Sequence, residues 1–315
     1  MKKYFLITID TEGDNLWTWK KGSRITTENV KYIPRFQKLC EKYGFVPTYL
    51  TNYEMAMDSL WNEFASKKAR EGLAEVGMHL HAWNSPPLVE LEDRFGGNPY
   101  ITEYEEDVIL QKVAFLKELL ETRFSCPILS NRSGRWATNN IYFQALEKNN
   151  IIVDCSVTPG LDLSSIPGCS KNCGNDYSKQ PKSAFFISDN LVEVPMSTRR
   201  IRHYNISKGM RKGINNLLFG EELWLRPHNK SFEELMRVTN KIIRENCEYL
   251  EFMMHSSEFM PGGSPYFRSS EDIEKMYSIV EQLFAWATRN GYYGIGVTDY
   301  AKTFIEKNTR KISTI

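Results

Sequence analysis

No uninterrupted apolar run in the 315 residues approaches the roughly 18 that a membrane-crossing helix requires. After Met1-Lys2-Lys3, the apolar stretch reaches Asp10 before the about 7–15 apolar residues of a secretory signal are complete. Both absences lead to the expectation of a cytoplasmic protein with no membrane span. Charge of one sign is missing too: 40 Lys and Arg against 39 Asp and Glu leave a net +1, too little to hold the chain on a nucleic-acid backbone. Nucleic acid is therefore not an expected partner. Cysteines number six and lack Cys-x-x-Cys spacing, which excludes a thiolate zinc site and predicts free thiols, Cys169 and Cys173 among them. What remains is apolar material for a large core, 41% of the chain with 17 Phe, 16 Tyr and 7 Trp, which excludes disorder as the main state.

Short apolar runs alternate with amphipathic stretches, the mark of parallel strands joined by helices and so of an α/β fold. Strands are expected over residues 4–10, 45–50, 75–81, 128–132, 151–156, 191–196, 250–255 and 294–298. Helices are expected over 28–43, 54–71, 103–122, 139–149, 232–247 and 271–290. Ser231 and Glu234 have capping-box spacing, and Gly291 stands where a left-handed cap belongs. Residues 84–99 and 159–182 interrupt the rhythm; both follow strands, and as long loops in a compact domain they are expected over a barrel mouth. With no repeat or linker, one domain over 1–315 is expected.

In such barrels reactive groups sit at the carboxyl ends of strands. The first strand ends Thr8-Ile9-Asp10-Thr11-Glu12, where a period of two puts both carboxylates on one face. Another ends Gly77-Met78-His79-Leu80-His81, which pairs two imidazoles in the same way. This mixture of nitrogen and oxygen donors suits zinc or another divalent transition metal better than calcium. A third strand ends in His255, followed by Ser256-Ser257-Glu258. Plainer roles exist for each: turn or cap carboxylates, and a buried hydrogen-bonded histidine. Arg199, Arg200 and Arg202 with His203 fit either a solvated basic loop or a site for an acidic sugar or a phosphate-bearing glycan carrier, and His228 suggests a surface or helix-entry residue.

Taken in order, these motifs resemble those of the polysaccharide deacetylases of the NodB-homology type, carbohydrate esterase family 4. Thr8-Ile9-Asp10-Thr11-Glu12-Gly13 is similar to the first motif, Gly77-Met78-His79-Leu80-His81 to the second and Arg132-Ser133-Gly134-Arg135-Trp136 to the third. Asp154-Cys155-Ser156-Val157-Thr158-Pro159 and Met253-Met254-His255-Ser256 are similar to the fourth and fifth. The resemblance implies a distorted, TIM-like (β/α)7 barrel and a metal-dependent hydrolase taking an N-acyl, chiefly N-acetyl, group from an amino sugar or glycan by means of a metal-bound water. It implies Glu12, His79 and His81 as ligands of zinc, or of cobalt, nickel, iron or manganese. Asp10 would be the base, His255 the acid, Arg132 the partner of Asp10, and Asp154 the partner of His255. Trp83, Arg135 and Trp136, beside the motifs, are candidates for substrate contact or loop anchoring. Two departures stand out: Thr11 replaces the family's second aspartate, and Trp83 stands where its second histidine is usual. They keep two alternatives open, a metal-independent allantoinase-like amidohydrolase and a non-catalytic glycan binder.

Overall fold

The computed structural model describes residues 2–170, 174–202, 216–228 and 230–312; Cys173 and His203 lie outside them. Strands β1 (Lys3–Thr11), β2 (Pro47–Thr51), β3 (Glu75–Leu80), β4 (Ser130–Ser133), β5 (Val153–Asp154), β6 (Phe185–Phe186), β7 (Val192–Glu193), β10 (Tyr249–His255) and β11 (Tyr292–Gly294) form one curled sheet. Seven of them run parallel in the order β10-β1-β2-β3-β4-β5-β7; β6 pairs antiparallel with β7, and β11 lies beside the start of β1. Two further strands, β8 (Thr198–Ile201) and β9 (Glu221–Trp224), make a separate antiparallel pair. The result is a distorted (β/α)7 barrel.

No ladder joins β7 to β10, and the segments flanking β8 and β9 fill that opening. Ser197 Oγ accepts from the Glu251 amide at 2.9 Å, Leu225 N donates to Ser197 O at 2.9 Å, and Tyr249 donates to Pro195 O at 2.7 Å. Around the sheet lie α1 (Ile33–Lys42), α2 (Tyr53–Ala56), α3 (Ser59–Arg70), α4 (Glu106–Phe124), α5 (Asn140–Lys148), α6 (Phe232–Arg244), α7 (Ser270–Arg289) and α8 (Val297–Ile312). Among the described residues no helix is long and apolar enough to cross a membrane.

Alternation along β1 sorts its side chains into two environments. Phe5, Ile7 and Ile9 face the helices and join the main core. Tyr4 and Leu6 point inward to a second apolar cluster with Val153, Val192, Tyr249, Val297, Tyr300 and Ala301, so α8 closes the barrel floor. Thr8 and Asp10 continue the inward row toward the mouth, and both are buried. Core packing is tight on the helical side: Trp61 of α3 is fully buried and meets Tyr49 edge-on at 5.1 Å. Truncating such a side chain to alanine costs about 3–5 kcal/mol.

The capping signals hold. Ser231 and Glu234 bond reciprocally at the start of α6, and Gly291 has φ +74° after α7. Two expectations are corrected. The helix over 54–71 is broken into α2 and α3 because Asp58 Oδ1 accepts from Trp61 N at 3.0 Å and starts a new helix. The strand over 294–298 stops at Gly294: the Val297 and Thr298 amides bind Thr48 Oγ1 and Glu75 Oε2, both at 3.1 Å, and begin α8 instead.

Candidate active site

Parallel register brings the reactive groups together. Asp10 lies beside His255 across β1 and β10, and His79 beside Arg132 across β3 and β4. Just past β1, Glu12 is fixed by its backbone: its N–H donates to Ser256 Oγ at 3.0 Å and its carbonyl accepts from Asn29 Nδ2 at 2.8 Å. His81 follows β3 and stacks on Trp83, centroids 4.3 Å apart. A methyl group on Gly134 would stand 2.5 Å from His81 Cδ2, so only glycine lets that turn pass the imidazole.

Glu12 Oε2 is 3.4 Å from His79 Nε2 and 3.1 Å from His81 Nε2, and the two Nε2 atoms are 2.9 Å apart. Ligand atoms at about 2.0–2.1 Å from a tetrahedral ion lie roughly 3.3 Å from one another, so this buried trio has the spacing of one face of a zinc site. His79 Nδ1 is 2.8 Å from the Arg132 carbonyl, which fixes the proton there and leaves the Nε2 lone pair facing the trio. His81 Nδ1 has a longer contact, 3.5 Å, with Asn52 Nδ2. The donor set and spacing fit a divalent metal. Thr11 is not part of it: its hydroxyl donates to Ile9 O at 3.0 Å.

Beside the trio, Arg132 Nη1 donates to Asp10 Oδ1 at 2.6 Å and Nη2 to Glu251 Oε1 at 2.8 Å, while Nε holds Cys155 O at 2.9 Å. Burial opposes the charge on Asp10, but Arg132, His79 and His255 outweigh it and hold its carboxyl below the usual range. Burial likewise opposes Glu12, yet His255, His79 and His81 hold it well below its ordinary value. His255 Nε2 is 3.8 Å from Asp10 Oδ2 and 4.0 Å from Glu12 Oε1. Five groups from three strands thus meet at one mouth.

The expected Asp154–His255 contact is absent. Asp154 accepts from Asn131 Nδ2 at 2.6 Å and from Ser156 Oγ at 2.9 Å, and it is hydrogen-bonded to Glu193. Val153 and Cys155 on either side of Asp154 point into the barrel, to the cluster that holds Tyr249 of β10, so alternation turns the Asp154 side chain to the opposite face of β5, away from His255. His255 has other company: Nδ1 is 3.1 Å from Arg226 Nη2, and its backbone N–H donates to Glu258 Oε2 at 2.8 Å. His228 is no surface residue but 2.8 Å from Glu258 Oε1 and against the Tyr266 ring.

The mouth opens into a cavity of about 460 Å³ lined by Asp10, Glu12, His79, His81 and His255 together with Trp17, Trp83, Arg135, Trp136, Trp224 and Arg226. Arg135 lines this space, but its guanidinium binds Asn98 O and, at 3.1 Å, Pro167 O, and lies 3.8 Å from the Tyr100 ring centroid. It pins both long loops. Trp136 meets Trp224 edge-on at 5.2 Å. Arg199 and Arg200 are elsewhere, in β8, paired with Glu245 and Glu222.

Sequence reasoning missed Glu251, Glu258 and Arg226. Glu251 carried a signal, a charge on the inward face of an apolar strand two residues before Met253 and four before His255. Glu258 stood at the third position after His255. Arg226 had none, since only the fold brings its loop to the mouth.

No protein-family model matches the chain, and no curated protein matches it. Solved structures do. A Mycobacterium smegmatis protein assigned as a polysaccharide deacetylase is similar with TM-score 0.56 and 15% identity, over 98% of this chain and 92% of that one. The GH57 branching enzyme of Thermococcus kodakaraensis is similar with TM-score 0.55 and 10% identity, over 96% and 71%. The 4-alpha-glucanotransferase of Thermococcus litoralis is similar with TM-score 0.54 and 8% identity, over 96% of this chain and 40% of that one. At such identities the likeness establishes the fold: the chain has the barrel of the polysaccharide deacetylases, which the two Thermococcus enzymes share.

Proposed function

We propose that the chain is a metal-dependent hydrolase that removes an N-acyl group, chiefly acetyl, from an amino sugar or glycan. The observation that carries this reading is the convergence of Glu12, His79 and His81 with Asp10 and His255 at one mouth, the trio spaced for a metal and the pair beside it. Glu12, His79 and His81 would hold the ion, zinc before cobalt, nickel, iron or manganese. Bound there, it supplies Lewis-acid polarisation of the acyl carbonyl and a lowered pKa for water.

The protein's own groups carry the protons. Asp10 Oδ2 faces the mouth while Oδ1 is tied to Arg132, so the free oxygen accepts the proton of the attacking water. His255 Nε2 delivers a proton to the departing nitrogen, and Arg226 and Glu258 behind Nδ1 set the ring's orientation. Trp83 and Trp136 offer ring faces and edges to the sugar; Arg135 serves by holding the loops. Asp154 has no contact with these groups and is a structural residue.

Elemental analysis of protein purified without a metal-affinity tag tests the metal site. About one equivalent of metal is expected in the wild type and little in His79→Ala/His81→Ala. Release of acetate from acetylated amino sugars should then depend on that metal. Hydrolysis that survives chelation would replace this reading with a metal-free amidohydrolase, and sugar binding without hydrolysis with a glycan binder.

A further inference from the structure

Strand β2 runs between the strands that bring Glu12 and the two histidines, and Asn52 follows its last residue. Asn52 is fully buried and caps α2. Its backbone N–H donates to Thr11 O at 3.0 Å. In the side chain, Oδ1 accepts from the Met55 amide at 3.2 Å and Nδ2 donates to Glu54 Oε1. Glu54 is in turn held by the Gly13 amide at 3.2 Å and by Asn84 Nδ2 at 2.6 Å, so it stays in place as an acceptor. Turning the Asn52 amide over would set its N–H groups against the Met55 N–H and its oxygen against the Glu54 carboxylate. The amide therefore has one orientation, and in it Nδ2 faces His81 Nδ1 at 3.5 Å.

A neutral imidazole has one N–H and one lone pair. For His79, the Arg132 carbonyl takes the proton of Nδ1 at 2.8 Å, which leaves the lone pair on Nε2. For His81 the neighbour of Nδ1 is a donor, and among the described residues no acceptor reaches that nitrogen. The lone pair of His81 therefore belongs on Nδ1 and the proton on Nε2, where His79 Nε2 at 2.9 Å and Glu12 Oε2 at 3.1 Å can accept it. Stacking on Trp83 keeps the ring in this plane. The two histidines of the trio are thus opposite tautomers. An ion needs both Nε2 lone pairs, so His81 has to carry its proton on Nδ1, against the Asn52 N–H. Histidine ligands ordinarily donate that second N–H to a carboxylate, a carbonyl or water, and such partners are worth about 10–100-fold in metal affinity.

Resting on the reading of Glu12, His79 and His81 as metal ligands, we propose that Asn52 is a positioning residue that lowers the metal affinity of the trio by opposing a proton on His81 Nδ1. The site then offers two ready ligands, Glu12 and His79, and a third that binds against resistance. An ion held in this way exchanges more readily than one in a site where all three ligands are prepared.

The test is zinc affinity, measured by competition with a chelating indicator, for the wild type, Glu54→Gln and Asn52→Asp/Glu54→Gln. The aspartate retains an acceptor for the Met55 amide and puts an oxygen where Nδ2 stands, while the glutamine removes the like charge beside it. The double variant is expected to bind zinc about tenfold to hundredfold more tightly than Glu54→Gln, a gain that a merely structural role of Asn52 would not produce. A second measurement needs no metal: heteronuclear NMR of the imidazole nitrogens at mildly alkaline pH, assigned with His79→Gln and His81→Gln. In the wild type His79 is expected to carry its proton on Nδ1 and His81 on Nε2. A His81 proton on Nδ1 in the wild type overturns the proposal. Zinc in the wild type with an affinity that the aspartate does not raise would sink this proposal and leave the hydrolase reading standing. Zinc in the double variant alone would do the reverse, and zinc in none of the three would sink both.

Discussion

Two pairs of buried carboxyl groups sit in this barrel, and they have opposite fates. Asp10 and Glu12 at the mouth are surrounded by Arg132 and three imidazoles, which hold both below their ordinary range against the cost of burial. Asp154 and Glu193, side by side in register on β5 and β7, have each other and the neutral donors of Asn131, Ser156 and the Val157 amide. Burial and then Asp154 push Glu193 well above its usual value, and burial raises Asp154. One pair is held toward its charged form, ready for the proposed chemistry, and the other is pushed toward its protonated form inside the packing. In sequence both begin with an aspartate at a strand end; the neighbours supplied by the fold make the difference.

The largest effect that would sharpen this contrast is on turnover. Asp10→Asn should lower acyl release by about 10²–10⁴-fold, whereas Asp154→Asn should leave it within a few-fold. Initial rates on metal-loaded protein check this, and equal losses would erase the distinction. Next comes Arg132, a buried cation serving Asp10 and Glu251 at once. Arg132→Met strands both carboxylates and should cost about 3–5 kcal/mol in urea unfolding. A cost near zero would mean that Arg132 does not hold the mouth together.

Smaller but more diagnostic is the dependence on pH. Glu193 has a folded pKa above its unfolded value, so its contribution is fully present below about 4.3 and is lost as pH rises through the folded value. Asp10 has the opposite sign: its contribution is present above about 3.9 and is lost as pH falls through the depressed folded value. Melting temperature measured from pH 5 to 9 should therefore fall for the wild type relative to Glu193→Gln, and a constant difference would contradict a Glu193 carboxyl held toward its protonated form. The smallest effect expected is local. Arg135→Ala frees Asn98 O and Pro167 O, and should speed proteolytic cleavage in the two loops with little change in global unfolding.

Much of the mouth could be read from periodicity. Asp10, Glu12, His79 and His81 follow from a period of two, because a strand's geometry fixes which side chains share a face. The seven parallel strands followed from the alternation of apolar runs and helices. Periodicity misplaces Asp154 when its strand's two faces are not assigned: Val153 and Cys155 take the inward face, which leaves Asp154 on the other. Arg226 and Trp224 arrive through the β8–β9 pair, which no run of apolar residues announced. The final helix was hidden because its start is set by Thr48 and Glu75, residues more than 200 positions away.

The packing of α8 against Tyr4, Leu6 and Tyr249 has a further meaning for traffic through the site. With that end sealed, the barrel is a cup and not a tube. Under the proposed function, substrate would enter and both products would leave across the same rim, between the loops that Arg135 ties together. A long glycan, if that is the substrate, could not be threaded through such a vessel; it would have to lie across the opening and dip one unit at a time toward His255.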